Sequence, residues 1–307
     1  MKIPSMKSSA GGSALLLLLA LTAPVAQVTA AGIELGNTAS FALLALEGGS
    51  LEINSAHSIV GNVGYSQNVL VPNAQKVDSF IGSAYVYSGI TTTNFNAKVA
   101  TATYAPTGGI QYGPGAADTL LSNANADAQA LQTGLNSLFS SGPVTNLGTL
   151  SSNTSLAGAG GLNLFDVTQW QFNSNTLTLT GGSNDWFVFR AGGIDNSWSQ
   201  SNTVLNGVDP NHVLFYLTST DTGHDAITVN KDSSIFSGTI FAPGGLVIYH
   251  NPATFNGRII AHAIDVHSDF NISNPTLAVP EPEIYAMLGL GLGLMGWAGR
   301  RRKPQAA

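Results

Sequence analysis

Phe236-Ser237-Gly238-Thr239-Ile240-Phe241-Ala242 and Phe255-Asn256-Gly257-Arg258-Ile259-Ile260-Ala261 are one pattern written twice, 19 residues apart. Phe236 aligns with Phe255, Gly238 with Gly257 and Ala242 with Ala261. The same order of a glycine, one variable residue and a short apolar strand recurs in Val60-Gly61-Asn62-Val63-Gly64 and in Ile81-Gly82-Ser83-Ala84-Tyr85. Glycine lets the backbone bend where a side chain would clash. A period near twenty residues with one short strand after each bend is what a coil of a β-solenoid requires.

Working outward, Ile260 to Ile272 alternates: Ile260, His262, Ile264, Val266, Phe270 and Ile272 fall on one face, with Asp265, His267, Asp269 and Asn271 on the other. Further strands are predicted over Phe41 to Leu46, Leu177 to Thr180, Trp186 to Arg190, Val213 to Leu217 and Ile227 to Val229. One segment breaks the pattern. Leu120, Ala124, Ala128, Leu131, Leu135 and Leu138 recur at spacings of three and four, predicting a helix from about Asp118 to Phe139 that Gly142-Pro143 ends. Its apolar stripe needs a partner, most simply the flank of the solenoid.

Composition agrees with a turn-dense β protein. Glycine, serine, threonine and asparagine are abundant and charge is sparse, yet the apolar content exceeds what a disordered chain would carry. Cysteine is absent, so burial and hydrogen bonding alone must hold the fold. Between Gly32 and Leu277, five basic residues face fifteen acidic ones. Such a body repels phosphate backbones, and no nucleic-acid partner is expected.

The ends carry sorting information. Lys2 and Lys7 precede the apolar run Ala14 to Ala23, and Val28-Thr29-Ala30 offers small residues at a signal-peptidase site, so residues 1–30 read as a secretory signal peptide. At the other end Val279-Pro280-Glu281-Pro282 leads into an apolar run, residues 284–299, and then Arg300-Arg301-Arg302-Lys303. Sixteen residues make a helix of roughly 24 Å, marginal for a hydrocarbon core of about 30 Å. The basic end favours the cytoplasmic side. Residues 279–303 resemble the PEP-CTERM sorting signal. That resemblance implies recognition by an exosortase-type enzyme through Val279, Pro280, Glu281, Pro282, Arg300, Arg301 and Arg302, and delivery to the cell surface or extracellular matrix with a transient or retained anchor.

The glycine–strand motifs, the aromatic strand Asp185-Trp186-Phe187-Val188-Phe189 and the single helix make residues 32–277 resemble the bacterial ice-binding-like domain. Leu164-Phe165-Asp166-Val167 and Val213-Leu214-Phe215-Tyr216 also resemble the related choice-of-anchor A domains. Both imply a mainly β fold, a right-handed β-helix with one long α-helix packed alongside, in which early strands complete a coil with late ones.

Three chemistries have candidate residues. An ice-binding face needs short hydroxyl and methyl groups repeating from coil to coil; Thr176, Thr178 and Thr180 supply one row, with Leu177 and Leu179 inward, and Thr91 and Thr93 another. Tyr249, His250, Arg258, Asp265 and His267 would break such a face if they fell on it. Metal binding by Asp265, His267 and Asp269 is weak, because strand residues two apart lie roughly 7 Å from each other. No metal or other cofactor is expected. Polysaccharide cleavage needs paired carboxylates or cations around a uronate, and Lys231 and Arg258 stand isolated. Among the aromatics Trp198, between serines, is expected at the surface. The expected role is therefore an exported, non-catalytic structural or adhesive protein facing polysaccharide, with ice binding on the same scaffold as the alternative and a β-helix enzyme as the remote one.

Overall fold

A computed structural model describes residues 33–69, 77–90, 106–221, 224–230, 234–250, 253–267 and 270–274. The chain starts in the middle of a stack of parallel strands. After a 3-10 turn at Gly36–Ser40, β1 (Phe41–Ile53) bends across two sides of one coil and β2 (Ala56–Val60) supplies the third. From there β3 (Asn62–Tyr65), β4 (Val77–Ile81), β5 (Ala84–Val86) and β6 (Ile110–Tyr112) climb to one end. Helix α1 (Ala116–Ser141) returns along the flank. At the far end the climb resumes through β7 (Val144–Leu150), β8 (Thr154–Ala157), β9 (Leu162–Asn173), β10 (Thr176–Thr180), β11 (Trp186–Ala191) and β12 (Asn196–Ser199). It continues through β13 (Asn202–Asn206), β14 (Val213–Leu217), β15 (Asp225–Asn230), β16 (Ser234–Tyr249), β17 (Ala253–Val266) and β18 (Phe270–Ser273). The last strands then close on the first: Ile259 lies beside Leu43, and Ile272 beside Ile59.

The repeat is realised in register. Phe236 pairs with Phe255, Gly238 with Gly257 and Ala242 with Ala261, and the two phenyl rings stack at 5.1 Å. Gly238 and Gly257 have φ of 129° and 156°. A Cβ on Gly257 would sit 1.7 Å from the Gly238 carbonyl oxygen. Only glycine lets neighbouring coils approach at this bend.

The stack has three faces. Face A runs through β7, β9, β11, β14, β16, β17, β1, β3, β5 and β6. Ten strands at the usual spacing span roughly 43 Å, and the 26-residue α1 is roughly 39 Å long, so one helix covers the face. It buries Leu121, Ala124, Ala128, Leu131, Leu135 and Phe139 against Leu44, Leu164, Val188, Leu214, Tyr216, Phe241 and Ile260. Each such large apolar side chain stabilises by roughly 1.5–3 kcal/mol. The predicted helix is thus present and two residues longer at each end, while Leu120 and Leu138 lie at the margin of its buried stripe.

Face A explains one departure from the expected alternation. Ile260 points to the helix, whereas Ile259, Ala261, Ile264 and Val266 point into the solenoid. Strand β17 bends between faces at His262 and Ala263, where the pairing register shifts by comparison with β16 and β1. Trp198 is a second correction: it is wholly buried, its indole Nε1 donating to the Ser201 carbonyl at 2.8 Å. It packs with Trp170, Phe172, Phe215 and Phe236 in an aromatic interior.

The signal peptide expected at 1–30, the sorting motif, the apolar run at 284–299, Thr91, Thr93 and Asp269 lie outside the described residues. Among the described residues no helix is long and apolar enough to cross a membrane.

Candidate functional site: a solenoid face with uncharged rows

Face C is built from β8, β10, β13, the first halves of β16 and β17, then β18, β2 and β4. Because side chains alternate along a strand, every second residue points outward. Stacking then aligns those residues in rows across the coils. Thr176, Asn202, Ile235, Thr254, Asn271, Ser58 and Ser79 follow one another in unbroken register through seven strands. A second row contains Ser155, Thr178 and Val204, and continues at the other end, past the buried Ser237, as Asn256, Ser273, Val60 and Ile81. Ala157, Thr180 and Asn206 form a short third row.

None of these side chains is charged. Strands at roughly 4.8 Å and outward residues roughly 7 Å apart make a two-dimensional grid of hydroxyl, amide and methyl groups. Four large apolar residues are exposed among the described ones, and three of them, Ile81, Val204 and Ile235, stand on this face. Hydrogen bonds hold parts of the grid: the Thr176 amide donates to Asn153 Oδ1 at 2.8 Å, and Asn206 Nδ2 to Thr180 Oγ1 at 3.4 Å. The ionisable pair His57–Asp78, at 3.2 Å, lies at the β2–β4 end.

The structure places Thr176, Thr178 and Thr180 outward, over the buried Leu177 and Leu179. Sequence reasoning missed Thr254, Ser58 and Ser79, which extend the Thr176 row, and grouped Asn271 with Asp265, which stands on a different face. The 19-residue repeat already aligned Thr254 with Ile235, but the step to Ser58 joins opposite ends of the chain.

The residues expected to spoil a regular face lie elsewhere. Tyr249 is inside the core, where burial pushes its phenol well above the usual value. Arg258 is buried on the helix-covered side, donating to Thr239 Oγ1, Asn211 Oδ1 and Asn274 Oδ1 at 3.3, 2.8 and 3.1 Å. Desolvation pushes its guanidinium down to about 10 against the opposing pull of Asp209.

Face B carries the remainder. Its central outward row is Gln171, Ser197, Thr228, Ile248, Asp265 and Glu52. Beside it His267 stacks on His250 at 4.6 Å, its Nε2 is 2.9 Å from Asp265 Oδ2, and its Nδ1 is 3.2 Å from Asn54 Nδ2. Asp265 and His267 are thus brought together, but among the described residues no group of three or more metal-ligating side chains converges.

Known structures share this architecture. The chain is similar to an ice-binding protein from an Antarctic Flavobacteriaceae bacterium, at 21% identity and a TM-score of 0.51 over 81% of this chain and 48% of that one. It is similar also to the ice-binding protein of an Arctic yeast, at 20% identity and a TM-score of 0.50, covering 82% and 98% of the two chains. A third, an ice-binding protein from an Antarctic biological consortium, is 15% identical at a TM-score of 0.50 and covers 79% and 90%. No curated protein matches the chain. Residues 278–303 match the PEP-CTERM protein-sorting motif. Residues 48–271 match the family model described as ice-binding-like. That match overturns the structural or adhesive role expected first from sequence, and favours the alternative held beside it. With a family match over most of its length and the solenoid to go with it, the chain belongs to the ice-binding-like family.

Proposed function

We propose that this chain is an exported ice-binding protein and that face C is its ice-binding surface. The observation that supports this reading most is the unbroken seven-strand row from Thr176 to Ser79, which has no charged member. A charged group holds its own hydration shell tightly, whereas hydroxyl and methyl groups on a fixed grid let surface water adopt one order. Recognition of ice needs no bond-breaking chemistry, so the role is non-catalytic. Face B, with Glu52, Asp265, His250 and His267, lacks this property.

The sorting motif supports a place at the cell surface or outside the cell. We infer removal of residues 1–30 by signal peptidase and action of an exosortase-type enzyme at Val279 to Pro282. The domain between, residues 32–277, would then be displayed or released.

Thermal hysteresis and ice shaping by purified residues 32–277 test the main reading. Activity is expected for the parent and absent from Thr178→Tyr. No activity from protein with a cooperative unfolding transition would remove the ice-binding reading, and activity that survives the tyrosine would remove face C.

A further inference from the structure

A concave region lies on the flank away from face C, where the C-terminal half of α1 meets the bend between faces A and B. It is a cleft of about 690 Å³, within the range of small-molecule sites. Asn136 of α1, Asn146 of β7, Asp166 of β9 and Arg190 of β11 line it, together with Gly192 and Thr218 beyond β11 and β14.

Its polar groups are held before any ligand arrives. Arg190 donates in bidentate fashion to Asp166, Nε to Oδ1 at 3.0 Å and Nη2 to Oδ2 at 2.8 Å. The guanidinium lies 4.5 Å over the Phe139 ring, which fixes its plane. Asn136 Oδ1 accepts from the Tyr216 hydroxyl at 2.8 Å, and Asn146 Oδ1 accepts from the Gly148 amide at 2.9 Å. Both amides are therefore oriented with their NH₂ groups left to donate. Arg190 keeps further N–H donors, and each Asp166 oxygen keeps a lone pair. One cation and one anion cancel, so the cleft selects neither charge. Gly192 leaves the floor open: a Cβ there would meet only Thr218 Oγ1, at 3.5 Å.

We propose that this cleft binds one residue of a neutral glycan, with adjacent hydroxyls of the sugar engaged by the Asp166–Arg190 pair and the ring flanked by the Asn136 and Asn146 amides. A vicinal diol both donates and accepts at fixed separation, which an ion pair with free lone pairs and free N–H groups matches on both counts. The site is independent of face C, so ice and a sugar chain do not compete for it.

Ligand-observed NMR on the full chain with the methyl glycosides of glucose, galactose, mannose and N-acetylglucosamine, and with glucuronate, tests this. At least one neutral glycoside is expected to bind, Asp166→Asn and Gly192→Leu to weaken it roughly tenfold or more, and Thr178→Tyr to leave it unchanged. If Gly192→Leu lowers the unfolding temperature, Thr168→Trp, at an exposed cleft residue, replaces it as the blocking variant. Binding of none of the four, binding untouched by the blocking variant, or binding of glucuronate alone would each overturn the proposal.

Discussion

Faces B and C belong to the same coils, share the same interior and follow one another along each turn of chain, yet their outward rows differ in kind. Opposite Gln171, Ser197, Thr228, Ile248, Asp265 and Glu52 on face B stand Thr176, Asn202, Ile235, Thr254, Asn271, Ser58 and Ser79 on face C. The solenoid gives both faces the same spacing. What separates them is only which side chains the spacing repeats, so a function that depends on long rows without a charged member belongs to one face and not to the other.

The largest disruption removes both faces together. Gly257→Val places a branched side chain where even a Cβ would overlap the Gly238 carbonyl, at a φ of 156° that L-residues avoid. Backbone cannot move aside without parting the coils. A loss of more than about 4 kcal/mol is expected, read as a lost or strongly lowered transition in chemical denaturation. Gly148→Ala is the control: its φ of 65° is strained for alanine, but nothing lies within 4 Å of the added Cβ. About 1 kcal/mol is expected there, and a comparable cost at both glycines would show that the bend does not depend on close coil contact.

The next variants divide the faces. Thr254→Tyr sits in the same row as Thr176, and like Thr178→Tyr it should abolish ice shaping, because one bulky ring lifts a flat crystal surface away from its neighbours. Ser197→Tyr puts the same ring on face B and should leave hysteresis at the parent level. All of these positions point outward, so unfolding free energies should stay within about 0.5 kcal/mol of the parent. Equal losses on both faces would dissolve the distinction between them.

Much of the solenoid was legible in the sequence, and the failures have physical causes. The glycine bends were readable because the rule is local: a side chain is excluded by its own backbone conformation and by the coil 19 residues away. The inward period at Leu177 and Leu179 was readable for the same reason. Face A hid its pattern, since a strand buried by the core on one side and by α1 on the other does not alternate in polarity; Ile260 was therefore assigned to the wrong cluster. Trp198 was misread because its neighbours are polar. Asn196, two residues before it, also points inward, where its amide accepts from the Trp170 amide at 2.8 Å and donates to the Ala226 carbonyl at 2.7 Å. The continuation of the Thr176 row into Ser58 depends on β18 pairing with β2, a contact between opposite ends of the chain that no short-range pattern encodes.

The smallest expected effect lies beneath face B. Tyr249 is fully buried between Val229 and Val266 of the neighbouring coils, and its hydroxyl has no hydrogen-bond partner, whereas the corresponding interior under face C holds Phe236 and Phe255. An unsatisfied buried hydroxyl costs about 1–3 kcal/mol relative to a phenyl ring of the same shape. Tyr249→Phe should therefore stabilise the fold by about 1 kcal/mol. Burial also raises the folded-state pKa of Tyr249 well above 10.0. Since the unfolded chain ionises near that value and the folded one does not, the native state is fully favoured below it and loses stability as pH rises past it. Denaturation followed on both sides of that pH should show a shallower alkaline decline in the phenylalanine variant. An unchanged slope would mean that water already reaches the phenol, and that the interior under face B is as wet as its surface.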